Sequence, residues 1–324
     1  TYYGGTLYDE GYSICTDNSG NLYVTGITQG SDFPTQTLAG AYNQTTYGGG
    51  YTDAFILKFN SNGARIWATY YGGSDRDPDP TICTDNSENL YVTGWTMSND
   101  FPIQALTGAY NQTTYGGNRD AFILKFNSGG ARLWATYYGG SFWEEGYGIC
   151  TDNSDNLYVT GYTRSSDFPT QTLTGAYNQT TYGGGYEDAF ILKFNSSGAR
   201  IWATYYGGSD DDRGWSPCTD ISGNLYVTGR TASSNFPTQT LTGAYNQTTF
   251  GGGAYDAFIL KFNSSGARQW ATYYGGSNSD QAQSISTGNS GDIYVTGVTG
   301  SSNFPTQTLS GAYNQTTHGG DDDA

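Results

Sequence analysis

Short stretches that alternate apolar and polar residues recur along the chain, and they predict β-strands. In the third copy, Leu157–Gly161 alternates Leu and Val with Tyr and Thr, as a half-buried strand does. Ala189–Phe194 and Arg200–Tyr206 predict two further strands, joined by a hairpin turn. Tyr147–Thr151 predicts a short strand ahead of all three. No segment shows the periodicity of an amphipathic helix.

This four-strand pattern returns with a period of about 68 residues, marked by Thr-Tyr-Tyr-Gly-Gly at positions 1, 69, 136, 204 and 272. The repeats span 1–68, 69–135, 136–203, 204–271 and 272–324, and the last is incomplete. Each sheet would bury its apolar faces only against its neighbours. We therefore predict an all-β fold, a five-bladed β-propeller built from four-stranded repeats as a single domain over 1–324. An open solenoid of sheets is the alternative.

Four segments of the first repeat carry a family resemblance: Asp17–Gly26, Asp32–Pro34, Asp53–Asn60 and Trp67–Gly73. They resemble the bacterial β-propeller repeat known as SBBP, and every repeat of the chain shows the likeness. The resemblance implies a large secreted or surface protein of bacteria, and implies no particular activity. Members are often described as seven-bladed, so five repeats imply either a smaller ring or a longer parent chain.

The composition of the chain limits the kinds of molecule that it is expected to bind. The chain has 29 acidic and 13 basic residues and a formal charge of −16, so it would be repelled by phosphate backbones and is not expected to bind nucleic acid. No apolar run approaches the length of a membrane span. The chain starts in mid-repeat, which predicts a processed chain or part of a longer one.

The fifth repeat contains its first two predicted strands but lacks most of the other two. Thr1–Gly5 could supply only the end of its last strand. Three alternatives explain the incomplete repeat. The missing residues lie outside the ordered chain, or the blade is simply short, or a neighbouring subunit donates the strand. Head-to-tail donation would build a fibre, because it does not close on itself.

The four cysteines occupy one equivalent position, which Ser286 fills in the fifth repeat; they are Cys15, Cys83, Cys150 and Cys218. Equivalent positions in packed sheets lie on the order of 10 Å apart, beyond the roughly 7 Å limit for a disulfide. We expect buried thiols. No metal site or cofactor is predicted, because Cys-x-x-Cys is absent and His318 is the only histidine. Asp17–Asn21 resembles half of a Ca²⁺ loop but is interpreted as an Asx turn.

The loops after Tyr-Tyr-Gly-Gly differ in every repeat and would lie on one rim of the ring. Their acidic residues are the candidate ligand site, suited to divalent cations such as Ca²⁺ or to amino sugars. The candidates are Asp9, Glu10, Asp75, Asp77, Glu144, Glu145, Asp210, Asp211 and Asp212. Paired carboxylates could hydrolyse glycosides, but nothing distinguishes one acid from another and no triad can be assembled. An enzyme is therefore not expected.

Two other polar features bear on glycans. Seven Asn residues fit the N-glycosylation pattern, although a copied polar loop explains them equally: Asn43, Asn111, Asn178, Asn246, Asn314, Asn195 and Asn263. Tyr42 and Tyr47–Tyr51 could stack on sugar rings or fill blade edges.

The sequence favours a non-enzymatic, secreted or cell-surface structural module used for assembly or adhesion. Its expected partners are further copies of itself or other surface molecules, and the open fifth blade could be completed by strands in a filament. The alternative is a carbohydrate-binding propeller with several equivalent sites.

Overall fold

The computed structural model describes residues 1–320, 322 and 323, and this part of the chain is built from eighteen β-strands. The first repeat contains β1 (Asp9–Thr16), β2 (Leu22–Thr28), β3 (Asp53–Phe59) and β4 (Arg65–Tyr71). The second contains β5 (Thr81–Thr84), β6 (Leu90–Thr96), β7 (Asp120–Phe126) and β8 (Arg132–Tyr138). The third contains β9 (Glu144–Thr151), β10 (Leu157–Thr163), β11 (Asp188–Phe194) and β12 (Arg200–Tyr206). The fourth contains β13 (Asp212–Thr219), β14 (Leu225–Thr231), β15 (Asp256–Phe262) and β16 (Arg268–Tyr274), and the fifth contains β17 (Asp280–Thr287) and β18 (Ile293–Thr299).

Each of the first four repeats forms one four-stranded antiparallel sheet with its strands in chain order, and the fifth forms a two-stranded sheet. The all-β prediction and the four strands per repeat are confirmed. The register is copied as well, since Thr28 pairs with Asp53 and Thr231 pairs with Asp256. No helix of the described residues is long and apolar enough to cross a bilayer.

The first strand of a repeat is longer than its sequence pattern predicts. In the third repeat it begins at Glu144 instead of Tyr147. A bulge at the corresponding place in β1, between Gly11 and Ser13, interrupts the alternation that sequence reasoning relies on. In the second repeat the strand is short, because Pro78 and Pro80 flank Asp79, whose φ is 58°.

The long connection between the second and third strands covers the outer edge of the fourth strand. Gln36 pairs with Ala68, and Gln44 pairs with Tyr70. An otherwise exposed sheet edge is thereby satisfied within its own repeat. The same two bridges recur in three other repeats: Gln104–Ala135 and Gln112–Tyr137, Gln171–Ala203 and Gln179–Tyr205, and Gln239–Ala271 and Gln247–Tyr273.

The backbone groups into two compact units, and the division runs through the third sheet. One unit comprises residues 1–159, 163–169 and 192–201, and the other comprises 160–162, 170–191 and 202–324. A core cluster of the first includes Trp67, Tyr71 and Phe122. A core cluster of the second includes Tyr226 and Trp270.

Candidate binding face of the fifth repeat

In the second, third and fourth repeats, a phenylalanine at the end of the third strand packs onto the sheet before it. Phe126 packs against Trp67, Tyr71 and Tyr42, with ring centroids 5.6, 5.9 and 6.3 Å away. Trp67 and Tyr71 are fully buried as a result. The arrangement repeats for Phe194 on Trp134, Tyr138 and Tyr110, and for Phe262 on Trp202, Tyr206 and Tyr177.

Hydrogen bonds accompany this aromatic contact. Arg132 Nη1 donates to Tyr71 Oη at 3.0 Å and to the Pro102 carbonyl at 2.8 Å. The Tyr42 N–H donates to the carbonyl of Gly130, in the turn that follows Phe126, at 2.8 Å. Because the arginine and the glycine both belong to one β-hairpin, the third and fourth strands of a repeat cover Tyr42 and Tyr71 of the preceding repeat, while the first strand of the repeat bonds to the first strand of that repeat.

The fifth repeat exposes the face that is covered in the other sheets. Tyr294 in β18 is 59% exposed, whereas its equivalents Tyr23, Tyr91, Tyr158 and Tyr226 are buried. Thr296 is also exposed, whereas its equivalent Thr93 donates its hydroxyl to the Phe122 carbonyl of the third strand at 2.8 Å.

One backbone residue pair between the second and third strands is nevertheless present in the fifth repeat. Thr299 and Asp323 exchange backbone hydrogen bonds of 2.7 and 2.9 Å, in the register of Thr28 with Asp53. Gly319 donates its N–H to Asp323 Oδ2, as Gly48 does to Asp53. The edge of β18 is therefore already aligned for a third strand.

A groove of about 770 Å³ lies along this edge. We call it the fifth-repeat groove. Its lining includes Trp270, Tyr274, Tyr245, Phe304, Val295 and Gly297. Tyr245 is 43% exposed here, whereas its equivalents Tyr42, Tyr110 and Tyr177 are only partly exposed under the arginine of the next repeat.

Sequence reasoning found the incomplete repeat but not these groove residues. The sequence signal that could have found them is their position in the repeat. Trp270, Tyr274 and Tyr245 belong to the repeat pattern, and the phenylalanine and arginine that cover their equivalents come from the following repeat.

The acidic candidates differ in exposure and in their partners. Glu144 and Asp212 begin β9 and β13, Asp77 precedes β5, and all three are fully buried. Asp212 accepts bonds from the Gly208 N–H and the Ser233 hydroxyl, at 2.7 and 2.9 Å. Asp75 and Asp210 face solvent.

The remaining acidic candidates already have partners. Glu10 accepts bonds from the hydroxyls of Tyr8 and Tyr12, and Asp9 accepts the Gly5 N–H. Asp211 accepts the Tyr186 N–H. Glu145 pairs with Arg119.

The three fully buried candidates each face a second buried acid across a glycine. A Cβ built on Gly207 would lie 2.6 Å from Asp212 Oδ2 and 3.1 Å from Asp188 Oδ1. Burial raises the pKa of Asp188 to about 8 and that of Asp212 to about 7. The pattern recurs with Asp53 and Asp77, Asp120 and Glu144, and Asp256 and Asp280. Among the described residues, no cluster of three or more His, Cys, Asp or Glu side chains could hold a metal ion.

Arginine–aromatic stacks occupy parts of the variable loops, and sequence reasoning missed them. Arg119 lies over Trp95 and Trp143, 4.2 Å from each ring centroid. Arg230 lies 3.9 Å from the ring of Tyr255. Arg119 also pairs with Glu145, so one acidic residue of the third repeat's loop is offset by a cation.

The repeated Asn-Gln-Thr asparagines hold turns of the long connection. Asn178 Oδ1 accepts the Leu173 N–H, and Nδ2 donates to the carbonyls of Leu173 and Ala176, all at 3.0 Å. The same turn forms at Asn43, Asn111, Asn246 and Asn314. Asn195 and Asn263 instead organise hairpin turns through Oδ1. Glycosylation of all seven remains a prediction.

The candidate sugar-stacking tyrosines differ in their surroundings. Tyr42 packs on Tyr71, and Tyr47 packs on Tyr70. Tyr51 is exposed, with the Arg76 guanidinium 4.7 Å from its ring centroid. All four cysteines are free thiols of intermediate exposure.

Comparison with known proteins defines the class. The family model for the SBBP β-propeller repeat matches residues 1–34, 66–102, 133–169, 201–237 and 269–305. The chain belongs to this β-propeller repeat family, and the predicted β-propeller fold is confirmed.

Other similarities are distant. An uncharacterised WD repeat-containing protein of Acanthamoeba polyphaga mimivirus is 26% identical in an alignment of 173 residues that covers 47% of this chain and 12% of that protein. Among solved structures, a putative gluconolactonase is 11% identical with a TM-score of 0.40, over 88% of this chain and 70% of that one. The WD40 domain of Neurospora crassa Pan2 is 8% identical with a TM-score of 0.30, over 89% and 86%.

Proposed function

We propose that this protein is a non-enzymatic extracellular structural and interaction module that assembles through its open fifth repeat. The exposed face of β17 and β18 carries the proposal, because the equivalent face is covered in the earlier repeats. The extracellular location is part of the proposal and is supported by the SBBP family resemblance.

A second exposed face favours assembly between copies. Ile14 in β1 is 64% exposed, whereas its equivalents Ile82 and Ile285 are buried against the preceding sheet. One copy therefore exposes the leading face of a repeat as well as the trailing face of another. Contact between unlike faces of two copies is heterologous, and repeated addition produces a fibre unless the rotation closes.

The surroundings of the carboxylates favour a non-enzymatic role. A glycosidase needs one accessible pair of carboxyl groups with distinct roles. Here the closely spaced pairs, such as Asp188 with Asp212, are enclosed and recur from repeat to repeat.

Sedimentation velocity and negative-stain electron microscopy over a range of concentrations test this function. We expect concentration-dependent oligomers or fibres, and Tyr294→Arg and Ile14→Asp should each shift the protein toward monomer. Ile221→Ser, at an exposed turn of the fourth repeat, is the matched control. A wild-type chain that stays monomeric and folded at the highest concentration would contradict assembly.

A carbohydrate-binding role is the second candidate, favoured by a local surface on the first repeat. Tyr8, Tyr12 and Tyr51 are exposed around Glu10 and line a shallow cavity of about 400 Å³. Exposed aromatic faces next to a hydrogen-bonding carboxylate suit sugar rings. A glycan array followed by calorimetry tests this role, and Tyr12→Ala should abolish binding. An array without hits argues against it.

A further inference from the structure

Two carboxyl groups meet at each junction between consecutive repeats. These are the four acid pairs, Asp53 with Asp77 and its three equivalents, and all eight side chains are fully buried. We propose that each acid pair binds a hard divalent cation of the Ca²⁺ class, which would connect the third strand of one repeat to the beginning of the next repeat. The inference goes beyond assembly, because it concerns groups enclosed within the chain and not an exposed face.

The oxygens of an acid pair converge on one glycine. Asp53 begins β3 and Asp77 precedes β5, and a Cβ built on Gly72 would lie 2.8 Å from Asp53 Oδ1 and 2.7 Å from Asp77 Oδ2. The pair that flanks Gly275 has the same geometry. An ion beside that glycine could contact both oxygens, because Ca²⁺ binds oxygen at about 2.3–2.6 Å.

One oxygen of each pair lacks a hydrogen-bond partner in the described part of the chain. Asp53 Oδ2 accepts the Gly48 N–H at 2.6 Å, whereas Asp53 Oδ1, the atom that faces Asp77, accepts nothing. The same holds, within the described residues, for Oδ1 of the three equivalent aspartates. None of the ion pairs among described residues includes an acid of these pairs. Burying a carboxylate oxygen without a partner is costly, so its recurrence in four places indicates a positively charged ligand.

The second acid of each pair is held in place by hydrogen bonds. Asp77 Oδ2 accepts the Gly73 N–H at 2.7 Å and the Ser98 hydroxyl at 3.1 Å. In the third repeat a glutamate, Glu144, takes this position and accepts the Gly140 N–H at 2.9 Å. Its longer side chain still brings Oε2 next to the glycine of the pair. The length of the side chain therefore varies while the position of the carboxylate is kept.

A neighbouring position separates the need for charge from the need for a hydrogen-bond acceptor. Asp100 accepts the N–H and the hydroxyl of Ser74 at 2.8 and 3.0 Å. In the fourth repeat Asn235 accepts the same two groups of Ser209 at 2.9 and 3.0 Å. Acid and amide are thus interchangeable where only acceptance matters. All eight positions of the acid pairs carry a carboxyl group, which a bound cation explains and hydrogen bonding alone does not.

The donor set selects the kind of cation. Carboxylate oxygens without nitrogen or sulfur favour hard ions such as Ca²⁺. The amide oxygen of Gln44 accepts the Gly72 N–H at 3.2 Å, which places a neutral oxygen beside the same glycine. Since Ca²⁺ takes six to eight oxygens, backbone carbonyls or water would complete its shell. A proton shared between the two carboxyl groups is the other way to relieve their repulsion, and it requires no metal.

Equilibrium dialysis of the full, chelator-treated chain against Ca²⁺ tests the proposal, at about 0.15 M salt to screen weak surface binding. We expect about four Ca²⁺ per chain, and an unfolding temperature that rises with Ca²⁺ concentration because the ion binds the folded state. Asp53→Asn should lower the number bound by about one. Asp100→Asn is the matched control, since an amide fills the equivalent position in the fourth repeat, and it should leave the number unchanged.

A second variant keeps the test decisive if Asp53→Asn does not fold. Asp256→Asn changes an acid pair of the other compact unit and should also lower the number of bound Ca²⁺ by about one. Binding of less than one Ca²⁺ per chain, with no change in unfolding temperature, would overturn the proposal in favour of a shared proton. Equal binding by wild type and both variants would overturn it too, because the ions would then lie on surface carboxylates. Neither result bears on assembly, which sedimentation measures separately.

Discussion

Arg200 donates from its Nη1 to the hydroxyl of Tyr138, 3.0 Å away, and so connects the fourth strand of one repeat to the fourth strand of the repeat before it. The same nitrogen donates to the Pro169 carbonyl at 2.8 Å, and Tyr138 Oη donates to that carbonyl at 2.6 Å. The guanidinium, the phenol hydroxyl and the proline carbonyl are thus all hydrogen-bonded to one another, and the tyrosine is fully buried.

Arg200→Leu should therefore destabilise the chain by about 1–3 kcal/mol, because a buried hydroxyl and carbonyl lose a charged donor. Equilibrium denaturation in urea measures the change. Arg76→Leu is the control, since Arg76 is exposed and lies over exposed Tyr51, and it should change stability by about 0.5 kcal/mol or less. Equal effects of the two substitutions would show that the buried set is not what the arginine stabilises.

The buried acid pairs predict that stability falls as pH rises from about 4 to 8. Burial raises the pKa values of Asp53 and Asp256 to about 7 and that of Asp188 to about 8. These groups hold protons in the folded chain that the unfolded chain, with carboxyl pKa values near about 4, has released. Their contribution is present in full below about pH 4 and is lost as pH rises through 7 to 8.

Carboxyl groups with lowered pKa values limit stability on the acid side. The Ser74 N–H lowers the pKa of Asp100, so its contribution disappears as pH falls below about 4. Urea unfolding should therefore show a maximum in mildly acidic buffer. Asp188→Asn should flatten the decline between about pH 5 and 8, and a wild-type unfolding free energy that increases over that interval would contradict this prediction.

The sequence predicted the strands well where alternation is local. Ala189–Phe194 and Arg200–Tyr206 agree with β11 and β12 to within one residue, because each strand's pattern lies in its own residues. It predicted the start of β9 poorly. Glu144 is buried because the hydroxyl of Thr163 and the N–H of Gly140 satisfy its carboxylate, and those partners lie outside the local pattern.

The candidate site was predictable only as an incomplete repeat. The pairing of Gln104 with Ala135 shows that the long connection covers an edge, and nothing in the polar sequence of that connection indicates an edge strand. Exposure of Tyr245 likewise depends on contacts made by the following repeat rather than on the residues around it.

The cysteine thiols should be unreactive in the folded protein. Burial raises the pKa values of Cys15 and Cys218 to about 12, and that of Cys83 lies well above its ordinary value for the same reason. Alkylation requires the thiolate, so iodoacetamide at pH 8 should modify native protein at least about a hundredfold more slowly than urea-unfolded protein. Intact mass spectrometry follows the reaction, and rapid native labelling of all four thiols would contradict the prediction.

The asparagines of the Asn-Gln-Thr turns should contribute more to stability than their exposed side chains indicate. Asn178 forms three hydrogen bonds with the backbone of its own turn, so Asn178→Ala should cost about 1–2 kcal/mol in urea unfolding, whereas Thr180→Ala, at an exposed neighbour, should be close to neutral.

The same geometry disfavours a glycan, because N-linked sugar would replace one of the two Nδ2 hydrogens that bind carbonyls. Asn195 uses Oδ1 for its turn, so in a glycosylating host peptide mapping should find sugar at Asn195 before Asn178. Full occupancy at Asn178 in a chain of unchanged stability would show that its Nδ2 bonds contribute little, and the turn would then be held by the pairing of the connection with β12.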